Sequence, residues 1–295
     1  MSNKNISIVI PAYNEEEIIN KLLKEIEDSF KDIEDYEIIL IDDGSKYSLE
    51  ENIDNNFKNK NIKVIRNSFN IGQTSSIKIG LGSANFNIIG LMDGDMQNPP
   101  SELRRLYEVF LEEDLDAVVS YREKRQDNTY KIILSKLGNT FLKFFTKSKF
   151  KDLGSSIKVV KKECLESIKL DGELHRFIVP MLEKRNYRIQ EFGTKHNFRK
   201  TGKSNYGINR LIPVFVDGLL FYLSNGFTST KRYAVGKIAF ILFFISSIFN
   251  IFVLYQRLTY NIFVHRNPIF IIAMFALILS FFIFALGIFS EKDSN

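Results

Sequence analysis

Hydrophobic and polar positions follow two regimes along this chain. In the first two thirds, short β-branched runs alternate with stretches of helical spacing, whereas toward the C-terminus the apolar character becomes continuous. Residues 6–10 read as a strand that stops at Pro11. Ile18, Ile19, Leu22, Leu23 and Ile26 then recur at helical spacing within residues 15–30, and residues 37–41 form a second strand pattern. Further strands are predicted at 63–66, 87–92 and 116–120, with helices around 72–84 and 101–113. This alternation predicts an α/β domain with a mainly parallel sheet and helices on both faces. Ligands of such a sheet bind beyond the carboxyl ends of its strands.

Residues 238–255 and 268–289 are uncharged apolar runs, each long enough to cross a hydrocarbon core of about 30 Å. Globular helices rarely stay apolar on every face over such a length, so a two-helix membrane hairpin is expected over 235–290. Lys231, Arg232 and Lys237 precede the first run and favour a cytoplasmic start, against which Arg257 and Arg266 in the connection weigh. Residues 208–234, which mix apolar positions with Arg210, Asp217 and Asn225, fit interfacial amphipathic helices or an ordinary surface helix. The expected organisation is a domain over 1–207, the interface segment 208–234 and the hairpin.

Polar motifs collect where strands end. Asp93 and Asp95, one residue apart, can aim two carboxylates at one hard cation, Mg²⁺ or Mn²⁺, with Gln97 as a third oxygen; an Asp-Gly-Asp turn held by its own hydrogen bonds is the competing reading. Asp42-Asp43-Gly44-Ser45 could accept hydrogen bonds from a base or ribose, Asp42 foremost, or could simply turn the chain. Arg122 follows a strand, and Arg199, Lys200 and Lys203 lie in a Gly- and Ser-containing loop suited to phosphate capture or to resting on an anionic membrane. Asp152 could present a carboxylate to a substrate or cap a helix, and His175 with Arg176 could touch substrate or be structural.

Composition narrows the classes. A net charge of +5 in 295 residues is too small for a dedicated nucleic-acid binder but suits phosphate ligands. The single cysteine, Cys164, has no internal partner, and the three histidines form no zinc pattern. No Gly-rich fingerprint follows the first strand, which argues against a dinucleotide cofactor. Residues 1–5 run straight into a strand pattern too short for a secretory core, so no signal peptide is expected.

Taken in order, Ile8-Val9-Ile10-Pro11-Ala12-Tyr13-Asn14-Glu15, Ile41-Asp42-Asp43-Gly44-Ser45, Asn70-Ile71-Gly72 and Asp93-Gly94-Asp95-Met96-Gln97-Asn98-Pro99-Pro100 resemble the motifs of family 2 inverting glycosyltransferases of GT-A fold. Asp152-Leu153-Gly154-Ser155, Gly172-Glu173-Leu174-His175-Arg176-Phe177 and the segment from Arg199 to Gly207, followed by two spans, resemble the polyprenyl-phosphate branch related to dolichol-phosphate mannose synthase. The resemblance implies that Pro11, Tyr13, Glu15, Asp42, Asp43 and Asp93 surround a nucleotide-sugar, and that Asp93, Asp95 and Gln97 hold the metal. It implies that Arg122, Arg199 and Lys203 bind the diphosphate or a lipid phosphate. Lys131, Ser135, Asp152, His175 and Arg176 then face the acceptor. Two departures stand out. Lys131 replaces an Arg and loses its bidentate fork, and Ser155-Ser156-Ile157 occupies the place of a Gly-Phe pair.

The expected activity is metal-dependent, inverting transfer of a sugar from a nucleotide carrier, UDP favoured over GDP, to polyprenyl phosphate. The expected setting is the cytoplasmic face of the inner membrane, with no nucleic-acid partner and with homo-oligomers compatible. A processive polysaccharide synthase is the enzymatic rival, but those enzymes carry Gln-x-x-Arg-Trp and this chain has no Trp. A silent membrane scaffold or a lipid-translocation subunit is the non-enzymatic one.

Overall fold

The structure is a computed structural model and describes residues 5–57, 61–123, 138–140, 142–168, 170, 174–195, 197, 231–261, 263–264 and 267–289. The chain divides into two compact units, Met1–Asp217 and Gly218–Asn295.

The first unit is built on a seven-stranded sheet of order β3-β2-β1-β4-β6-β5-β7. Its strands are β1 (Ile6–Ala12), β2 (Tyr36–Asp42), β3 (Ile62–Arg66), β4 (Ile88–Leu91), β5 (Ala117–Arg122), β6 (Lys158–Lys161) and β7 (Ile189–Thr194). The first four are mutually parallel, as the sequence pattern predicts. β6 runs antiparallel to both β4 and β5, and β7 is parallel to β5. The helices are α1 (Ile19–Phe30), α2 (Leu49–Asn52), α3 (Gln73–Ser83), α4 (Pro100–Glu112), α5 (Lys162–Glu166) and α6 (Ile178–Lys184), the last preceded by a 3₁₀ turn at Leu174–Phe177.

Strands buried on both faces need apolar residues at successive positions, and β1 and β2 supply them as near-continuous runs. Ile8 and Ile10 pack into one core with Leu22, Leu23 and Ile26 of α1 and Leu103 and Leu106 of α4. Val9 and Ile39 point the other way, into a core with Ile77 and Leu81 of α3 and Leu182 of α6. At roughly 1.5–3 kcal/mol per buried aliphatic side chain, these two cores fix the sheet as a rigid platform for its carboxyl edge.

The second unit contains α7 (Lys231–Tyr260) and α8 (Pro268–Phe289), both long and apolar enough to cross a membrane. They meet along small or short side chains seven residues apart: Ala239, Ser246 and Val253 on α7, Ala273 and Ser280 on α8, all buried. Heptad spacing of small residues lets apolar helices approach closely. Phe240, Ile251, Ile272, Phe275 and Phe282 remain exposed on the outer faces, the opposite of what a soluble helix pair shows. At the connection, Asn267 Nδ2 donates to Gln256 Oε1 at 2.7 Å.

Candidate active site

Register places the motifs together. Ala12 pairs with Asp42 and Asp42 with Arg66, so β1, β2 and β3 end level. Beside them the chain leaves β4 into the turn carrying Asp93, Asp95 and Gln97.

Asp42 is fully buried, and both its oxygens are engaged by the turn that follows it. Oδ1 accepts from Ser45 N at 2.8 Å, Oδ2 accepts from Leu49 N at 3.2 Å, and Arg66 Nε lies 3.7 Å from Oδ2. Asp43 accepts from Asn67 Nδ2 at 2.9 Å, Ile71 N at 2.9 Å and Gly72 N at 3.0 Å. This carboxylate therefore clamps the loop that launches α3, and Gly72, at φ 90, begins that helix in a conformation other residues rarely adopt. Gly44 is required twice over: its φ is 71, and a Cβ there would come within 2.5 Å of the Phe69 backbone. Tyr13 is exposed at the same edge, Pro11 is half-buried and Glu15 is buried. Asn14 N donates to Ser45 Oγ at 2.9 Å and Asn14 Oδ1 accepts from Lys46 N at 2.8 Å, which ties the first motif to the second.

The Asp93–Gln97 turn is the centre of the arrangement. Asp95 Oδ1 accepts from Gln97 N at 3.0 Å, and Met96 adopts a positive φ of 55. Asp93 is half-buried in a pocket of polar and cationic groups. Gln73 Nε2 donates to its Oδ1 at 2.6 Å. Desolvation raises its proton affinity, and Lys158, the Ser156 hydroxyl, Arg122 and Arg176 oppose that shift. Asn98 is buried beside it; its Nδ2 donates to Ser156 Oγ at 2.9 Å, while its Oδ1 meets no donor. Among the described residues no three His, Cys, Asp or Glu side chains converge. The donor set is thus two carboxylates and neutral oxygens, including one orphaned carbonyl. That fits a hard cation that keeps positions for water and phosphate rather than a site enclosed by protein ligands.

Arg122, at the end of β5, is held by Asp152 in a bidentate pair, Nε to Oδ2 at 2.6 Å and Nη2 to Oδ1 at 2.8 Å. Asp152 Oδ1 also accepts from Gly154 N at 3.1 Å. Lys158 enters from β6, is buried, and donates to the Ser155 carbonyl. Burial pushes its ammonium down to about 8, Asp93 and Asp152 pull back, and Arg122 adds repulsion. His175 packs on the start of α3: its backbone N donates to Thr74 Oγ1 at 3.2 Å and its Nδ1 lies 2.9 Å from the same hydroxyl. Arg176 Nε points at His175 Nε2 at 3.4 Å.

Asp93, Arg122, Asp152 and Arg176 are therefore one electrostatic cluster, with His175 joined to it through Arg176. Lys131, Ser135, Arg199 and Lys203 lie outside the described residues. The chain reaches the last two through Asn197, whose N donates to Gln97 O at 2.7 Å. Three residues at the centre escape the motif reading: Gln73, Ser156 and Lys158. A lysine at an inward position of the apolar strand Lys158–Lys161 is the signal that could have found one of them.

Comparison with known proteins gives the cluster a lineage. The chain is 29% identical over 226 residues to the dodecaprenyl-phosphate galacturonate synthase of Rhizobium johnstonii, covering 74% of this chain and 67% of that protein. It is 31% identical over 215 residues to the undecaprenyl-phosphate 4-deoxy-4-formamido-L-arabinose transferase of Proteus mirabilis, covering 72% and 66%. The chain thus spans about two thirds of the length of these curated relatives. Among solved structures it superposes on glucosyl-3-phosphoglycerate synthase from Mycobacterium tuberculosis in complex with Mn²⁺, UDP and phosphoglyceric acid, with a TM-score of 0.59, 18% identity, and coverage of 74% of this chain and 78% of that one. At that identity the likeness establishes the fold. Residues 7–168, more than half of the chain, match the glycosyl transferase family 2 description, and the protein belongs to that family.

Proposed function

We propose that this protein transfers a sugar from a nucleotide-sugar, UDP-linked in preference to GDP-linked, to a polyprenyl phosphate, with inversion at the anomeric carbon. The observation that carries this reading is the Asp93–Gln97 turn at the carboxyl edge of the sheet, two carboxylates beside a pocket holding Lys158, Arg122 and Arg176. Two relatives with different sugars share a polyprenyl-phosphate acceptor in their names, which supports the acceptor class and leaves the sugar open. The paired apolar helices support membrane attachment; a first unit at the cytoplasmic face of the inner membrane is our reading of Lys231, Arg232 and Lys237 ahead of the first helix.

The acceptor phosphate is ionised near neutral pH and needs no general base. Its oxygen attacks the anomeric carbon as the bond to the nucleoside diphosphate breaks, and the diphosphate departs from the opposite face. Asp93, Asp95 and Gln97 would hold Mg²⁺ or Mn²⁺, which supplies positive charge to the leaving diphosphate. Asp152 fixes the Arg122 fork in one orientation, so the guanidinium need not reorganise during transfer. Asp42 and Asp43 act on the nucleotide through the loops they hold, and Tyr13 offers an exposed ring for a base. Arg199, Lys203, Lys131 and Ser135 complete the phosphate and acceptor contacts in this reading.

The test is a donor screen on membranes containing the full chain, with mass detection of the lipid product, with and without chelator and added polyprenyl phosphate. The expected result is a polyprenyl-phosphate-linked monosaccharide that requires both lipid and metal. Sugar transfer that ignores added lipid, or that survives chelation, overturns the corresponding half of the reading.

A further inference from the structure

Phe144 is 74% exposed, the most exposed of the large hydrophobic side chains among the described residues of the first unit. It lies on a helical stretch, residues 138–140 and 142–146, whose opposite side is anchored by buried Leu142 and Thr146. Phe145 stands edge-on to it, with ring centroids 5.4 Å apart. Lys143, half-buried, precedes it, and Lys147, Lys149 and Lys151, all exposed, follow it along the chain.

One of these lysines is placed against local preference. Lys147 ends the helix with its N bonded to Lys143 O at 2.8 Å and a φ of 55, a position where glycine or asparagine is usual. Lys184 on α6 is pushed down first by burial and then by the charge of Lys147, so its ammonium belongs to the same group of cations. Glu183 and Glu191 are adjacent and offset part of this charge; each accepts a backbone N–H through Oε1, from Lys149 and Lys151 respectively, and the lysines remain in excess. The Lys151 ammonium sits 4.2 Å from the Tyr121 ring centroid.

An exposed aromatic in a lysine-rich segment is the composition of a surface that lies in a lipid interface, the ring at the acyl boundary and the ammonium groups among anionic headgroups. We infer that residues 142–151 form a second membrane contact, belonging to the catalytic unit itself and selective for anionic lipid. This rests on the membrane attachment proposed above. It gives the unit a fixed orientation on the bilayer independent of the two apolar helices.

The test uses the full chain carrying Phe144→Cys, labelled with an environment-sensitive fluorophore and reconstituted into phosphatidylcholine vesicles with or without phosphatidylglycerol. Cys164 is the native cysteine; it is buried and its thiol is pushed up to about 11, so it stays unlabelled. Tyr47→Cys, exposed in the same unit, and Ile271→Cys, exposed on α8, are the references. The expected result is quenching by brominated lipid at position 144 but not at 47, stronger in anionic vesicles. In the Phe144→Cys background, Lys147→Glu/Lys149→Glu should weaken the contact by about fivefold or more per lysine. A label at 144 as unquenched as that at 47, while 271 is quenched, overturns the inference alone. Shielding at 144 that ignores brominated lipid means a protein covers it and overturns it too. No quenching at 271 overturns the membrane reading on which it rests.

Discussion

Gln73 Nε2 donates to Asp93 Oδ1 at 2.6 Å, joining the first residue of α3 to the carboxylate at the end of β4. Because Asp43 clamps Ile71 N and Gly72 N immediately upstream, the second motif sets where Gln73 stands and Gln73 sets how Asp93 points. Groups that orient a metal-binding carboxylate typically matter 10–100-fold in metal affinity or activity. Gln73→Ala should therefore raise the divalent-cation concentration for half-maximal transfer by roughly tenfold or more, with much of the rate regained at saturating metal. Gln73→Glu should do worse, since it sets a second negative charge against Asp93. A metal titration of lipid-product formation decides it, and an unchanged half-saturation point in both variants removes Gln73 from the site.

Asp95→Asn keeps the shape of the turn and its acceptor for Gln97 N but removes one of two negative charges. Transfer should fall at least about 10²-fold, the scale of losing a preorganised electrostatic group. Thermal unfolding should stay within about 1 kcal/mol of wild type, because Asp95 is only half-buried. Full activity in Asp95→Asn sinks the metal assignment.

The sheet was legible because β1 and β2 are buried on both faces and announce themselves as apolar runs. The short strand β6 was not, since Lys158 breaks its pattern, and β7 was not, since Glu191 and other half-buried positions make it resemble a surface segment. In the site, residue types with strong chemical signatures stood out: Asp93, Asp95, Arg122. Gln73 and Ser156 carry no charge and acquire meaning only through proximity to Asp93, which no local pattern encodes. Asp42 and Asp152 show the converse. Their charge was visible, but Asp42 is engaged by its own following turn, through Ser45 N and Leu49 N, and the hold of Asp152 on the Arg122 fork depends on tertiary placement.

The Arg122–Asp152 pair predicts a separation of charge from geometry. Both side chains are largely buried, at 10% and 15% exposure, so removing one partner strands the other. Asp152→Ala should destabilise the first unit by about 3 kcal/mol, near the lower end for broken buried pairs because some solvent reaches both groups. Arg122→Lys keeps the charge and loses the fork; it should retain most of the stability yet lose activity roughly tenfold or more. Unfolding midpoints measured beside transfer rates separate the two effects. Equal activity in Arg122→Lys and wild type means the fork has no part in transfer.

Lys158 supplies a pH dependence whose sign is fixed by its burial. Its pKa stands at about 8 in the fold against 10.5 for an unperturbed lysine, so between those values the unfolded chain holds a proton that the folded chain has released. Stability attributable to Lys158 therefore rises with pH across that window, by at most about 1.4 kcal/mol per unit, and is flat below pH 8, where both states are protonated. The stability of wild type relative to Lys158→Met should grow from pH 8 to 10, read as the difference in unfolding midpoints of the detergent-solubilised full chain. Activity should respond in the opposite sense, because deprotonation strips Asp93 and Asp152 of the cation buried between them. The alkaline limb of the rate profile should begin near pH 8 in wild type and move upward in Lys158→Arg, whose guanidinium keeps its charge throughout. An alkaline limb in the same place for both proteins would show that the buried ammonium serves the fold and not the transfer.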